Sequence, residues 1–403
     1  MLVQAVDVDR FTPRMFTVAV QVALATADPA ALCPLVGPGR AVSDQPVWPL
    51  ADAMCASLEG DAARASQLID SARRRSGGGI DMLLAEKVVG AGANTRRAVS
   101  IEWSGVDELS SWRFGLASAT GLEIPAGLMN RAGPAVWAWQ ARAPMVPLEQ
   151  RVAAAQRAAT LGVFSNASLV EMYSLIADRT DPSEIEGSVG DRLRKAYVAP
   201  TVGERIDAMR NLWGESDADR YGRFVLTAAA AARVPPSSDV GNRTDDLLGS
   251  MMTAGYDRFA ARWGGVADAL DGDDGDRAWS ILAVGAPRAV VDLGANRVEA
   301  FTDRVDGQRG RMLVAALAGL GRLADPAAYG VDPAPRSRWA NLIAAAARAD
   351  QPGTVALLAG VGMQTPGWRG VPPEHLYHIV RALRAVGLEY EARMIAAEAM
   401  TRL

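Results

Sequence analysis

The chain has 403 residues with 42 basic and 46 acidic side chains, so its formal net charge is only −4. This balance argues against a nucleic-acid binder, which gathers an excess of basic residues on one face, and against a polybasic membrane patch. Hydrophobic residues make up 49% of the chain, which excludes disorder over most of its length, and no apolar run reaches the roughly 20 residues of a membrane span.

The first predicted element is an amphipathic helix over 15–27. Its apolar sequence follows Arg10 and Arg14 and ends in small residues, an outline that a signal peptide shares. Asp7 and Asp9 do not suit the basic segment that opens a signal peptide. We therefore interpret the segment as the first helix of the fold.

Cys33 and Cys55 are the only cysteines, at the end of one predicted helix and within the next. Antiparallel neighbouring helices can bring such a pair within the Cα separation of about 4.4–6.8 Å that a disulfide needs. The alternative is a pair of buried free thiols, which pack as small hydrophobic groups. A disulfide would indicate an exported protein and favour the periplasm or cell envelope over the cytoplasm.

Helical periodicity recurs along the chain, and strand periodicity is almost absent. Short breaks rich in glycine, proline, aspartate and serine separate the apolar stripes, as antiparallel helix pairs require. We predict an all-α fold, an irregular α-solenoid (a superhelix) of antiparallel helical hairpins. The clearest stripes are Leu148, Val152, Ala155 and Ala159; Val202, Ile206, Met209 and Trp213; Met312, Leu313, Ala316, Leu317 and Leu320; and Trp339, Leu342, Ile343 and Ala346.

The most linker-like break follows residue 234, where Pro235 and Pro236 end a helix and two serines follow. We place a domain boundary at this break. The prediction is an N-terminal helical-repeat region over 1–234 and a C-terminal helical-repeat region over 245–403.

Two segments share a pattern in which small residues follow a glycine turn, a spacing that lets two helices pack closely. Both segments resemble tetratricopeptide repeats. The resemblance implies a helical hairpin at each end of the array and a surface that binds a protein partner. The pattern consists of Gly387, Ala392, Ala396 and Ala399 in residues 373–403, and of Gly60, Ala65, Ile69 and Ala72 in residues 49–73.

The acidic run over 271–276 resembles the DxDD motif of class II terpene cyclases, in which an aspartic acid protonates an alkene. That chemistry needs a deep aromatic cavity, and only 6% of this chain is aromatic. A calcium-binding EF-hand loop would need glycine and glutamate where this chain has Asp276 and Leu282. We predict a solvated loop that caps a helix beginning near Arg277.

Glu215 and Ser216 resemble the catalytic Glu-Ser pair of lytic transglycosylases. The stretch over 362–366 resembles a second motif of that family, but it follows about 150 residues later, whereas the family has the two motifs close together. A general acid also needs a partner and a cleft, and the sequence identifies neither. We therefore assign no catalytic residue.

His375 and His378 are the only histidines, spaced i, i+3 beside Glu374. This spacing can present two ligands to a metal, but a zinc site needs a third and a fourth ligand. Leu376 and Ile379 define the buried side of the predicted helix. We interpret both histidines as surface residues and predict neither a metal nor a cofactor.

Trp137 and Trp139 flank Ala138, so on a helix they point to different faces. Aromatic side chains on the surface of a helical repeat commonly anchor partners. A role in helix–helix contacts is the alternative. Both tryptophans are therefore candidate partner-binding residues.

Together these patterns predict a non-enzymatic helical-repeat scaffold or adaptor that binds a protein partner, in the bacterial cell envelope if the cysteines pair. One alternative is an enzyme on an α/α scaffold that acts on a glycan or an isoprenoid, with two facing carboxylates in a deep pocket. Another is a structural subunit that self-associates through an exposed apolar patch. An adaptor would have an open groove.

Overall fold

The computed structural model describes residues 7–93, 101–214, 218–240, 243–305, 307–323, 325–365 and 367–403. Within these ranges the secondary structure is helical and contains no strand, which confirms the all-α prediction. None of the helices described there is long and apolar enough to cross a membrane. The chain divides into two compact units, Met1–Ala158 and Ala159–Leu403, each with its own hydrophobic core.

The first unit is organised around α3, which packs on α2, α4 and α5. Its core includes Trp48 and Met54 of α3, both fully buried. The α-helices of this unit are α1 (Pro13–Ala25), α2 (Cys33–Val42), α3 (Val47–Leu58), α4 (Ala62–Ser76), α5 (Ile80–Gly92), α6 (Ser111–Ala119), α7 (Ala126–Arg131), α8 (Ala135–Arg142) and α9 (Leu148–Ala159), which ends at the boundary.

The start of α1 illustrates how local sequence defines these helices. Pro13 occupies the first helical position, where the missing N–H is not needed, and the side chain of Thr12 accepts a hydrogen bond from the amide of Met15. Phe16 and Leu24 then lie on the buried face. The helix predicted over 15–27 is thus present, beginning and ending two residues earlier than predicted.

The second unit contains the remaining helices around a core that includes Trp213, Trp263 and Trp279. They are α10 (Asn166–Ala177), α11 (Pro182–Ile185), α12 (Val189–Val198), α13 (Val202–Gly214), α14 (Arg220–Ala231), α15 (Thr244–Thr253), α16 (Asp257–Ala260), α17 (Gly264–Asp268), α18 (Gly272–Gly285), α19 (Ala295–Arg304), α20 (Gly307–Gly319), α21 (Arg338–Arg348), α22 (Pro352–Gly362), α23 (Pro373–Ala385) and α24 (Glu389–Arg402). Short 3₁₀ turns, among them Pro326–Tyr329, occur between some of them.

The two segments with the glycine pattern both form packed helical hairpins, α3–α4 and α23–α24. Gly60 and Gly387 adopt φ values of 89° and 80° at the turns, a conformation that disfavours residues with a Cβ atom. The residues of the pattern that follow each glycine are buried, and the two helices of each hairpin pack on each other. The hairpins are therefore present, whereas the relation to tetratricopeptide repeats remains a prediction.

The C-terminal helix makes contacts far from its sequence neighbours. In a simple solenoid each hairpin packs only on adjacent hairpins, but α24 also packs on α15 and α18. Arg393 of α24 donates hydrogen bonds to the carboxylate of Asp257 at 2.7 Å and to the carbonyl oxygen of Gly285 at 2.6 Å. The second unit thus departs from a nearest-neighbour array at its C-terminus.

The break on which we placed a domain boundary, 234–245, lies inside the second unit. The helices on its two sides, α14 and α15, pack on each other. The buried hydroxyl of Ser250 donates a hydrogen bond to the carbonyl oxygen of Phe224 at 2.8 Å across this contact. The prolines therefore end a helix within one core instead of separating two compact units.

Candidate binding groove

The second unit contains a groove with a volume of about 730 Å³. We call it the histidine groove, because both histidines of the chain line it. Residues of α19, α20, α21 and α23 form its walls together with the segment 329–337. The groove is lined by Thr302, Gly307, Gly310, Arg311, Val314, Ala315, Tyr329, Gly330, Val331, Asp332, Ala334, Arg336, Ser337, Ala340, Pro373, Glu374, His375, Tyr377 and His378.

Three helices begin at this groove, and the local sequence explains where each begins. Pro373 takes the first position of α23, as its fixed φ favours. The side chain of Ser337 caps α21 by accepting a hydrogen bond from the amide of Ala340 at 3.0 Å. Gly307 opens α20. First-turn residues of all three helices therefore border one cavity.

His375 is held in place by its surroundings. Its ring stacks on Trp339, with centroids 4.3 Å apart, and its Nδ1 lies 3.0 Å from the carbonyl oxygen of Gly362. A Cβ atom at Gly362 would lie 2.3 Å from the indole of Trp339, so a residue without a side chain is needed there. One ring nitrogen of His375 is thus occupied by α22.

His378 is only 7% exposed, although it lines the groove. Its ring makes an edge contact with Tyr377 at 5.1 Å between centroids. It makes no hydrogen bond to any part of the chain that the structure describes. Burial lowers the pKa of His378, because it disfavours the charged imidazolium, and the charge of Arg381 lowers it further. The ring is therefore neutral near pH 7.

The segment 329–337 presents one ion pair to the groove. The carboxylate of Asp332 accepts hydrogen bonds from the amide of Ala334 at 2.9 Å and from Nε of Arg336 at 2.7 Å. These two contacts lower the pKa of Asp332, the backbone amide more than the guanidinium. Arg381 of α23 donates a hydrogen bond to the carbonyl oxygen of Pro333 at 3.3 Å and so attaches the segment to the helix.

The interpretation of both histidines as surface residues is wrong for His378. The i, i+3 spacing places both rings near the start of α23, but α20 and α21 pack on this helix and the second ring is buried. Within the described residues no group of three or more His, Cys, Asp and Glu side chains is arranged to hold a metal ion. The sequence did not identify Arg311, Asp332 or Arg336 as residues of a site, because no motif marks them.

The acidic run over 271–276 is helical from Gly272 onward and not a loop. Asp271 precedes α18, and the following residues form its first turns, where acidic side chains favour the helix dipole. Asp276 is buried and pairs with Arg297 at 2.9 Å and with Arg304 at 2.7 Å. The run therefore starts and anchors a helix.

Glu215 and Ser216, which resemble a catalytic pair, lie outside the described residues, as does residue 366 of the stretch over 362–366.

Trp137 and Trp139 lie on α8 in the first unit, and both are half-buried. The guanidinium of Arg157 lies 5.6 Å from the ring centre of Trp137, and the ring of Trp139 lies 5.6 Å from that of Phe114. Both tryptophans pack against a small cluster that includes Val136. A role in partner binding remains a prediction for them.

Cys33 and Cys55 form a disulfide in the structure, with their Cα atoms 5.5 Å apart. Cys33 is the first residue of α2, and Cys55 lies near the end of α3. The two helices pack on each other. The sequence leaves open either a disulfide or two free thiols, and the structure contains the disulfide.

Comparison with known proteins identifies no relative: no family model, no curated protein and no solved structure matches this chain.

Proposed function

We propose that this chain is a non-enzymatic helical scaffold or adaptor that binds an extended segment of a protein partner in the histidine groove. The groove itself is the observation that carries the proposal. Its volume of about 730 Å³ lies within the usual range for ligand sites. Four helices and one connecting segment contribute to it, so that it offers polar groups along its length.

The chemistry of the lining favours binding over catalysis. General acid–base catalysis needs a cleft residue whose pKa lies near the working pH, with a partner within reach. In this groove Arg336 and the amide of Ala334 favour the ionised form of Asp332, and a carbonyl oxygen occupies one nitrogen of His375. Among the described residues, the carboxylic acid with a raised pKa is Asp245, and it does not line the groove.

A structural subunit is the second candidate function, because α21 and α22 expose apolar side chains. Leu357 and Val361 lie one turn apart on α22, at 65% and 55% exposure, and Leu342 of α21 is 49% exposed. No charged residue occurs in α22. An apolar surface of this kind favours contact with another protein or with a second copy.

The disulfide supports a place outside the cytoplasm. Disulfides persist in oxidising compartments and are rare where thioredoxin and glutathione keep thiols reduced. Cys33 and Cys55 leave no free cysteine in the chain. The proposed partner is therefore to be sought in the cell envelope.

Site-specific photo-crosslinking tests the two candidate functions together. A photoreactive residue replaces Ala334, which is exposed in the groove, and in a second variant it replaces Leu357 on α22. The full-length variants are exposed to an envelope extract and irradiated. The adaptor proposal expects one defined partner protein to crosslink at position 334 and not at 357. That partner, once identified and purified, should bind the chain without the photoreactive residue.

The outcomes separate the functions. Crosslinks between two copies of the chain at position 357, with none to another protein at 334, would favour the structural subunit and overturn the adaptor. Crosslinking of many unrelated proteins at both positions would count against a specific groove. Circular dichroism verifies that both variants keep their helical content.

A further inference from the structure

The histidine groove combines features that favour a negatively charged group. The first turns of α20, α21 and α23 border it, and each of these helices is at least 11 residues long. The N-terminus of a helix carries a partial positive charge and amide N–H groups without intrahelical partners. No side-chain hydrogen bond caps the start of α23. Pro373 has no N–H and the amide of His375 bonds to the carbonyl oxygen of Pro372, so the amide of Glu374 is the first-turn donor left for a ligand.

His378 is a second and independent indication of a ligand. Its side chain is more than nine-tenths buried, lines the groove and has no hydrogen-bond partner in the described part of the chain. The ring nitrogens of His378 are not among the fully buried side-chain atoms without a partner, so they are accessible from the groove. A ligand in the groove that accepts a hydrogen bond can therefore reach the imidazole.

Among the described residues, the charged side chains of the groove leave Arg311 without an ion-pair partner. Asp332 and Arg336 neutralise each other. Arg311, at the end of the first turn of α20, makes no ion pair with any described residue. Glu374 carries the opposing charge, but it is exposed to solvent at the rim, where water and salt weaken its effect.

We propose that the histidine groove binds an oxyanion, a carboxylate or phosphate group, with His378 as its buried hydrogen-bond donor and Arg311 as its counter-charge. The proposal rests on the proposed function, because the group is taken to belong to the bound segment. A carboxylate would come from an acidic side chain or the C-terminus of the partner. Free phosphate has the same recognition chemistry, so the experiment separates the two sources.

Anion binding and protonation of His378 should reinforce each other, because the imidazolium donates a stronger hydrogen bond to an anion than the neutral ring does. A bound oxyanion is therefore expected to raise the pKa of His378 from its lowered value. Other charged and titratable groups surround this ring with and without the bound anion, so the pKa of His378 has to be interpreted together with their charges. They are Arg311, Asp332, Arg336, Glu374, His375 and Arg381.

The two histidines make the test direct, since imidazole-labelled full-length protein gives only two ring signals in NMR. The variant His375→Gln assigns them. Sodium acetate and inorganic phosphate are titrated separately at constant ionic strength, with sodium chloride as the reference. The expected result is a saturable shift of the His378 signal and a rise in its pKa. Saturation by acetate indicates a carboxylate ligand, and saturation by phosphate alone indicates a phosphate group.

Two exposed variants give matched controls that do not disturb the core. Arg311→Gln should weaken the affinity for the anion about tenfold, which is the effect of losing one charge-assisted hydrogen bond. Glu374→Gln should strengthen anion binding, because a repelling charge is removed.

Equal anion affinities of the two variants, or no saturable shift of the His378 signal with either anion, would overturn the oxyanion site. If crosslinking at position 334 persists in that case, the inference fails alone; if crosslinking is also absent, the proposed function fails with it.

Discussion

At the scale of single residues, Asp245 lies in an environment that opposes its charge. It is 8% exposed in the first turn of α15, and its Oδ1 has no hydrogen-bond partner in the described residues. Arg277 lies 3.9 Å from its other oxygen. Burial raises the pKa of Asp245 to about 6, and the neighbouring charge of Asp246 contributes to the rise.

The substitution Asp245→Asn should therefore stabilise the protein at neutral pH. Because the folded carboxyl has the higher pKa, it binds its proton more tightly than the unfolded one, whose pKa is about 3.9. Its contribution to stability is present below about pH 4, decreases as the pH rises through about 6, and is lost above that value. At pH 7.5 the variant should gain up to about 2–3 kcal/mol in the free energy of unfolding. Urea denaturation between pH 4 and 8 measures the difference.

The neighbouring carboxylate provides the control for this prediction. Asp246 is buried and pairs with Arg220 and Arg243, so Asp246→Asn should destabilise the protein at pH 7.5, since it removes one side of a buried ion pair. A gain from Asp245→Asn that is equal at pH 4 and pH 8 would contradict the assignment of the effect to ionisation.

At the scale of secondary-structure elements, two glycines on α2 differ in what surrounds them. A Cβ atom at Gly39 would lie 2.4 Å from the indole ring of Trp48, which is fully buried on α3. Nothing lies within 4 Å of a Cβ atom at Gly37. The close approach of α2 and α3 therefore depends on one of the two glycines.

The pair of substitutions Gly39→Ala and Gly37→Ala tests this dependence within one helix. Gly39→Ala should destabilise the protein by about 1–3 kcal/mol, because the indole or the helix must move to make room. Gly37→Ala should change the stability by less than about 1 kcal/mol, because the helix propensity of alanine is offset by the steric restriction on a residue that precedes a proline, here Pro38. Thermal unfolding followed by circular dichroism measures both. Similar losses for the two variants would show that general helix perturbation, not the contact with Trp48, is responsible.

At the scale of the whole molecule, the disulfide belongs to one of two units with separate cores. Cys33 and Cys55 connect α2 and α3 within the first unit, and the large core cluster of the second unit, which includes Trp213 and Trp279, consists of residues from Ala196 onward. A cross-link over 22 residues restricts the unfolded chain and stabilises the folded one by about 3 kcal/mol.

Replacement of both cysteines by serine should consequently affect the first unit more than the second. Hydrogen exchange of the full chain, followed by mass spectrometry, should become faster in α2 and α3, while exchange in α20 and α23 stays unchanged. Equal acceleration in both units would contradict the assignment of the disulfide to one core. The mass of the protein from its native compartment under thiol-blocking conditions, lower by two hydrogens than the dithiol form, would establish the bond there.

What could be predicted from the sequence was local. The apolar stripes predict the helices, and Gly60 and Gly387 mark the turns of α3–α4 and α23–α24, because helix periodicity and turn conformation depend on residues a few positions apart. The prediction of a loop over 271–276 was wrong, because aspartates favour both loops and the first turn of a helix. The ion pairs of Asp276 with Arg297 and Arg304 join residues more than 20 positions apart, so the local pattern does not show them.

The candidate site, by contrast, depends on contacts between distant segments. The spacing of His375 and His378 places both on α23, but it does not show that α20 and α21, tens of residues earlier in the sequence, pack on this helix or that His378 is buried. Arg311 and Asp332 reach the same groove from two other segments. The sequence by itself therefore determined the all-α class and the helices, since these follow from short-range physics. The tertiary structure alone decided which side chains share a groove and which of them are removed from water.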